Sequence, residues 1–179
     1  MFFRIVGSND ITHQLEQDRT HSASVVLNNS NTLWITGGGG LGHPHPYTVW
    51  INLDQPAQPG PNLPMKFVDH CMTNLNDSHV LVAGGFDRKG ETIVVDTADG
   101  FNYTMTTGPT LLSGRYGHAC ATFEHEGKPI VITVGGFANG LGYLDSSEIW
   151  DPESNEGWVK GSYILLLYPS YLSLIFIKA

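Results

Sequence analysis

The feature that most constrains this chain is a segment that occurs three times. GHACATFEHEGKPIVITVGGF (117–137) runs from a histidine through a short apolar stretch, a polar turn and a second apolar stretch to two glycines and a phenylalanine. HCMTNLNDSHVLVAGGF (70–86) keeps the same order, and HSASVVLNNSNTLWITGGG (21–39) keeps it with glycine in place of the phenylalanine. His21, His70 and His118 stand 49 and 48 residues apart, and the glycine pairs Gly37-Gly38, Gly84-Gly85 and Gly135-Gly136 stand 47 and 51 apart. A second marker, Gly60-Pro61 and Gly108-Pro109, precedes the next histidine by ten residues each time. Repetition at about 20–50 residues marks a chain built of stacked units.

Each unit carries further strand-like segments. YTVWINL (47–53), ETIVVDT (91–97) and SSEIWDP (146–152) follow the glycines and are rich in β-branched or aromatic residues. FNYTM (101–105) and GWVKG (157–161) read as a short outer strand; in the first unit this strand is missing or abbreviated, because Gly60 follows Leu53 by only seven positions. Four short strands form one small antiparallel sheet, which must stack on its neighbours to bury both faces.

Composition agrees with this reading. Glycine numbers 21 and proline 10 in 179 residues, and helical spacing of apolar residues is absent outside the extreme C-terminus. The formal charge of −8 comes without a basic stripe, which argues against nucleic acid as a partner. MFFRIVGSND lacks the apolar run of a secretory signal, so a cytoplasmic location is expected. The sequons at Asn28, Asn76 and Asn102 are read as chance matches.

The repeats resemble kelch repeats, the motif of four-stranded β-propeller blades. The third unit is the fullest match, with Arg115, His118, Gly135-Gly136, Trp150 where the family usually has tyrosine, and Trp158; the second has Val95 and Tyr103 in the aromatic slots. The resemblance implies an all-β, open propeller of about three blades, assigned as 21–69 (abbreviated), 70–117 and 118–161. Residues 1–20 are read as an N-terminal segment that holds, in FFRIV, the outer strand of a preceding blade. Residues 162–179 form an apolar tail outside the register. Closed propellers have about 4–8 blades, so the chain is expected to be a fragment of a longer propeller and to self-associate. A helix through YILLLYPSYLSLIFIKA (163–179) would span about 26 Å against a bilayer core of about 30 Å, and Pro169 interrupts it, so a membrane anchor is not expected.

In this reading His21, Gly37, Gly38, His70, Gly84, Gly85, His118, Gly135, Gly136, Trp150 and Trp158 are structural. The glycines supply positive φ and close backbone approach where sheets crowd. A single Gly-Gly would be an ordinary hairpin turn; three in one register are not. Cys71 and Cys120, too few for a disulfide framework, are read as small buried apolar residues in equivalent slots. His43 and His45 stand two apart on a loop without a carboxylate or cysteine nearby to complete a metal set, and no cofactor is expected.

The resemblance further implies that loops after the glycine pairs share one face with those joining successive blades. The candidate contact residues there are Arg88, Lys89, Arg115, Tyr116, Phe137 and Tyr143, and their cations suit a protein partner or acidic peptide. A non-catalytic protein-binding module is the leading expectation. The alternatives are an enzyme of sialic acid epimerase type or of galactose oxidase type, the latter with a copper and crosslinked cysteine set that is not found here, or a truncated non-functional fragment of either kind.

Overall fold

A computed structural model describes residues 18–161, apart from 29, 41–42, 53, 87–88 and 100–102, together with the backbone at 2–3 and 13–14. The tail 162–179 lies outside the described residues. Every regular element among them is a β-strand: β1 (Phe2–Phe3), β2 (His13–Gln14), β3 (Ala23–Val26), β4 (Thr32–Thr36), β5 (Gly39–Gly40), β6 (His43–Pro44), β7 (Thr48–Asn52), β8 (Gln58–Pro59), β9 (Cys71–Asn74), β10 (His79–Ala83), β11 (Thr92–Asp96), β12 (Thr104–Thr107), β13 (Ala119–His125), β14 (Lys128–Val134), β15 (Phe137–Ala138), β16 (Gly142–Tyr143), β17 (Ser147–Trp150) and β18 (Val159–Lys160).

Three antiparallel four-stranded sheets carry the fold, in the orders β3-β4-β7-β8, β9-β10-β11-β12 and β13-β14-β17-β18. The fourth strand of the first sheet is only Gln58–Pro59, so it is present in abbreviated form. Two hairpins, β5-β6 and β15-β16, project after the glycine pairs of the first and third sheets. Phe2–Phe3 does not join any of these sheets; it pairs with His13–Gln14 in a separate two-stranded ladder.

Alternation along the middle sheet explains why the sheets stack. In β10 and β11, Val80, Val82, Ile93 and Val95 point into a core shared with Trp34, Trp50, Leu63 and Phe67 of the first unit. Leu81, Ala83, Cys71 and Val94 point the other way, into a core shared with Val131, Trp150 and Trp158 of the third. A strand buried on both faces needs a continuous apolar run, which is what VLVA at 80–83 supplies. Trp34 and Trp50 stack at 5.2 Å, and Tyr103 stacks on Trp50 at 5.1 Å, which seals the first interface.

Backbone bonds repeat the stacking from sheet to sheet. Gly38 N donates to Phe67 O at 2.7 Å, and Gly85 N donates to Arg115 O at 2.8 Å. A second ladder runs through residues of positive φ: Asp69 N donates to His21 O at 3.0 Å, and Gly117 N to Asp69 O at 2.8 Å.

These bonds fix the true register of the repeat. Ala23, Cys71 and Ala119 pair with Thr36, Ala83 and Val134, the residues just before each glycine pair. His70 and His118 are therefore equivalent to Ser22. His21 is one residue out of register, and its counterparts are Asp69 and Gly117, which share its left-handed backbone (φ 59°, 55° and 61°). The register also places Met105, not Tyr103, in the slot that Trp158 fills in the third unit.

Candidate functional site

All six glycines of the three pairs follow the last residue of a second strand and have positive φ. Chain direction reverses there, and the returning loops gather on one side of the sheets. Phe86 follows the second glycine pair and Phe137 the third. Phe137 is clamped to Tyr116 by two backbone bonds, Tyr116 N to Phe137 O at 3.0 Å and Phe137 N to Tyr116 O at 2.9 Å. Across the β15-β16 hairpin, Phe137 pairs with Tyr143.

The result is a continuous row of four aromatic rings. Phe86 meets Tyr116 edge-on at 5.2 Å, Tyr116 meets Phe137 at 5.3 Å, and Phe137 meets Tyr143 edge-on at 5.3 Å. These are favourable aromatic geometries. The two inner rings are half-buried, whereas Phe86 is 45% and Tyr143 84% exposed. Leu141, at the tip of the same hairpin, is 70% exposed. Tyr116, Phe137 and Tyr143 are thus brought together, with Phe86, the first residue after the second glycine pair.

Arg115 is not part of this surface. Its guanidinium is fully buried, with Nη2 donating to Glu148 Oε1 at 2.7 Å and Nη1 donating to the carbonyls of Gly135 and Ser146 at 3.0 Å each. Glu148 also accepts the amides of Leu112 and Ser113 at 2.7 and 2.9 Å. The expectation of a surface cation is corrected: Arg115 ties the loop before β13 to the glycine turn. Arg19 does the same in the first unit, donating to Gly37 O and Tyr47 O at 2.9 and 2.7 Å. In the second unit the position holds Phe67, which is fully buried and packs on His70 at 5.4 Å. Lys89 is exposed. Arg88 lies outside the described residues.

The repeat histidines are packing residues. His70 lies beside Gly37 and contacts Thr36 Oγ1 through Nε2 at 2.7 Å. His118 lies beside Gly84. Burial lowers both imidazoles to a pKa of about 3, and for His118 the nearby Arg115 and His70 act in the same direction. His21 is exposed and pairs with Asp69 at 2.6 Å.

Cys71 and Cys120 form a disulfide between the second and third sheets, with Cα atoms 5.9 Å apart. The reading of two free apolar residues in equivalent slots is therefore corrected. Cys71 follows its histidine directly and Cys120 follows by two, so they lie on opposite faces of their own sheets and meet across the interface.

His45 is buried against Tyr47 at 5.4 Å, and burial, reinforced by Arg19, lowers its pKa. Among the described residues no group of three or more His, Cys, Asp or Glu side chains is placed to hold a metal ion, and no helix is long and apolar enough to cross a membrane.

A scan against protein-family models finds no match for this chain, and a search of curated proteins finds no relative.

Proposed function

We propose that this chain is a non-catalytic protein-interaction module built of kelch-type propeller blades, and that the Phe86–Tyr116–Phe137–Tyr143 ridge is its contact surface. The observation that carries this reading is the ridge itself. Four rings from two adjacent sheets stand in contact, with their outer members open to solvent. Contiguous exposed apolar surface marks interaction sites, and aromatic anchors supply most of the energy of protein interfaces. The rigid sheets fix the spacing of the rings while the loops present them.

The ligand chemistry follows from the rings. An extended protein segment bearing prolyl or aromatic groups lays flat faces and edges against such a row, as in the aromatic grooves that bind polyproline conformations. Lys89, exposed in the loop that begins at Phe86, favours an acidic residue flanking that segment. Three observations support the blade arrangement: the order of strands within each sheet, the sheet-to-sheet bonds at the glycine pairs, and the repeat period.

Selection from a displayed random-peptide library tests the proposal. The wild-type chain is expected to enrich peptides rich in proline or aromatic residues, and the double variant Y116A/Y143A to lose that enrichment. Enrichment that is the same on both proteins, or absent on the wild type, contradicts it.

A further inference from the structure

Two of the three sequons occupy one structural position. Asn28 follows Ala23 by five residues and Asn76 follows Cys71 by five, and Ala23 and Cys71 are the equivalent first residues of β3 and β9. Both triplets therefore lie in the turn that joins the first and second strands of their sheets. The equivalent residue of the third unit, Glu124, still lies within β13, and Asn102 lies outside the described residues. Turn chemistry by itself favours Asn, Asp and Ser at such places, so position alone assigns nothing.

The side chain of Asn76 is anchored at one atom and open at the other. Oδ1 accepts the amides of Ser78 and His79, both at 2.9 Å, and the Ser78 hydroxyl at 3.3 Å. Only an oxygen can meet two backbone N–H groups, so the amide orientation is fixed and Nδ2 is the atom turned away. Nδ2 is the atom that carries an N-linked glycan; it makes no hydrogen bond among the described residues, and Asn76 is exposed. Asn28 is more engaged, with Oδ1 accepting Asn74 Nδ2 at 3.0 Å and Nδ2 turned toward Asn76 O at 3.5 Å.

A second, independent feature concerns the compartment. Cys71 and Cys120 are joined across the second and third sheets, and structural disulfides form and persist in oxidising compartments, where N-glycosylation of Asn-X-Ser/Thr also takes place. We propose that Asn76 is an N-glycosylation site and that the chain matures in an oxidising secretory compartment rather than the cytoplasm. In the transfer, Nδ2 bonds to the anomeric carbon of a lipid-diphosphate-linked oligosaccharide. The carbon–oxygen bond to the diphosphate breaks, the lipid diphosphate leaves with its electron pair, and one Nδ2 proton is released. Oδ1 keeps its bonds to the Ser78 and His79 amides, so the fold accommodates the product. In the same compartment the two thiols give up two protons and two electrons to a disulfide-bearing oxidant, which becomes a dithiol.

The sugar would not cover the aromatic ridge. β10 runs from His79, beside the Asn76 turn, to Ala83, directly before the Gly84-Gly85 pair that leads to Phe86. Glycan and ridge therefore sit at opposite ends of the second sheet, and the proposal is independent of what the ridge binds.

Peptide mapping of the native full chain, recovered by antibody from the cells that make it, tests this. Peptide N-glycosidase converts a glycosylated asparagine to aspartate, so the peptide spanning position 76 is expected with aspartate there only after treatment. N76Q and S78A, expressed in the same cells, are expected to lose the sugar at that site, and S78T to keep it. S78A retains Asn76 itself, so its loss reports the hydroxyl that defines the acceptor, and the peptide readout does not require a folded variant. Alkylation of the same sample is expected to label Cys71 and Cys120 only after reduction. An unmodified Asn76 amide in the native chain, a sugar that persists in S78A, or cysteines labelled without reduction overturns the proposal. None of these results depends on peptide binding, so the interaction reading stands or falls separately.

Discussion

The imidazole of His118 occupies the space that a side chain on Gly84 would need, with Cε1 2.6 Å from the β-carbon position and Arg115 O 2.5 Å from it. Gly135 shares the φ of Gly84 but is open on that side. Alanine at either position bears the left-handed penalty of about 1–2 kcal/mol; only G84A must also displace a carbonyl and a ring. G84A is therefore expected to lower the urea midpoint clearly more than G135A. Equal losses would mean that the glycines serve backbone conformation alone.

Arg115 and Glu148 form an ion pair with both side chains buried. Removing one partner strands the other charge, at a cost of about 3–5 kcal/mol. R115M is expected to destabilise the chain by that order in denaturant unfolding and to leave any ridge-directed binding intact at temperatures where it stays folded. A loss below about 1 kcal/mol would contradict the structural role and return Arg115 to the surface.

Acid should unfold this protein through its histidines. His70 and His118 are held neutral in the fold, at a pKa of about 3, and regain an ordinary value near 6.5 when unfolded. The unfolded state therefore binds more protons below pH 6.5. Stability is full above that pH and falls as the pH drops toward 3, by up to about 1.4 kcal/mol per pH unit for each histidine. H118Q is expected to flatten the fall between pH 6 and 4. An unchanged slope would show that His118 titrates normally in the fold.

The Cys71–Cys120 bond closes a loop with a sequence separation of 49, which by chain entropy corresponds to about 4 kcal/mol. Dithiothreitol, or C120A, is expected to lower the melting temperature markedly, and a non-reducing digest to yield the linked peptide pair. Two free thiols in aerobically purified protein would contradict the juxtaposition of the second and third sheets.

Much of the fold was legible because strands and turns leave local signals. The apolar runs at 80–83 and 130–134, and the glycine pairs that end them, place β10 and β14 almost to the residue. What escaped was whatever depends on one sheet meeting another. Glu148 lies 33 residues from Arg115, and the matching role of Arg19 is hidden because the intervening unit holds Phe67 there. Counting from histidines put His21 in the wrong slot, since strand pairing, not residue type, sets the register. Likewise a one-residue offset between Cys71 and Cys120 reads as a trivial difference, yet in a strand it reverses the face and so permits the disulfide. Tyr116, Phe137 and Tyr143 were readable as loop aromatics; the contact of Phe86 with Tyr116 follows only from the stacking.

Stacking of the sheets builds the ridge, so its most direct test is amide hydrogen exchange at Gly38, Gly85 and Gly117. These amides belong to no strand ladder and are bonded only across junctions, to Phe67 O, Arg115 O and Asp69 O. Stacked sheets protect all three to nearly the degree seen in β10 and β14. Rapid exchange at these glycines while β10 and β14 remain protected would show three independent sheets and contradict the account.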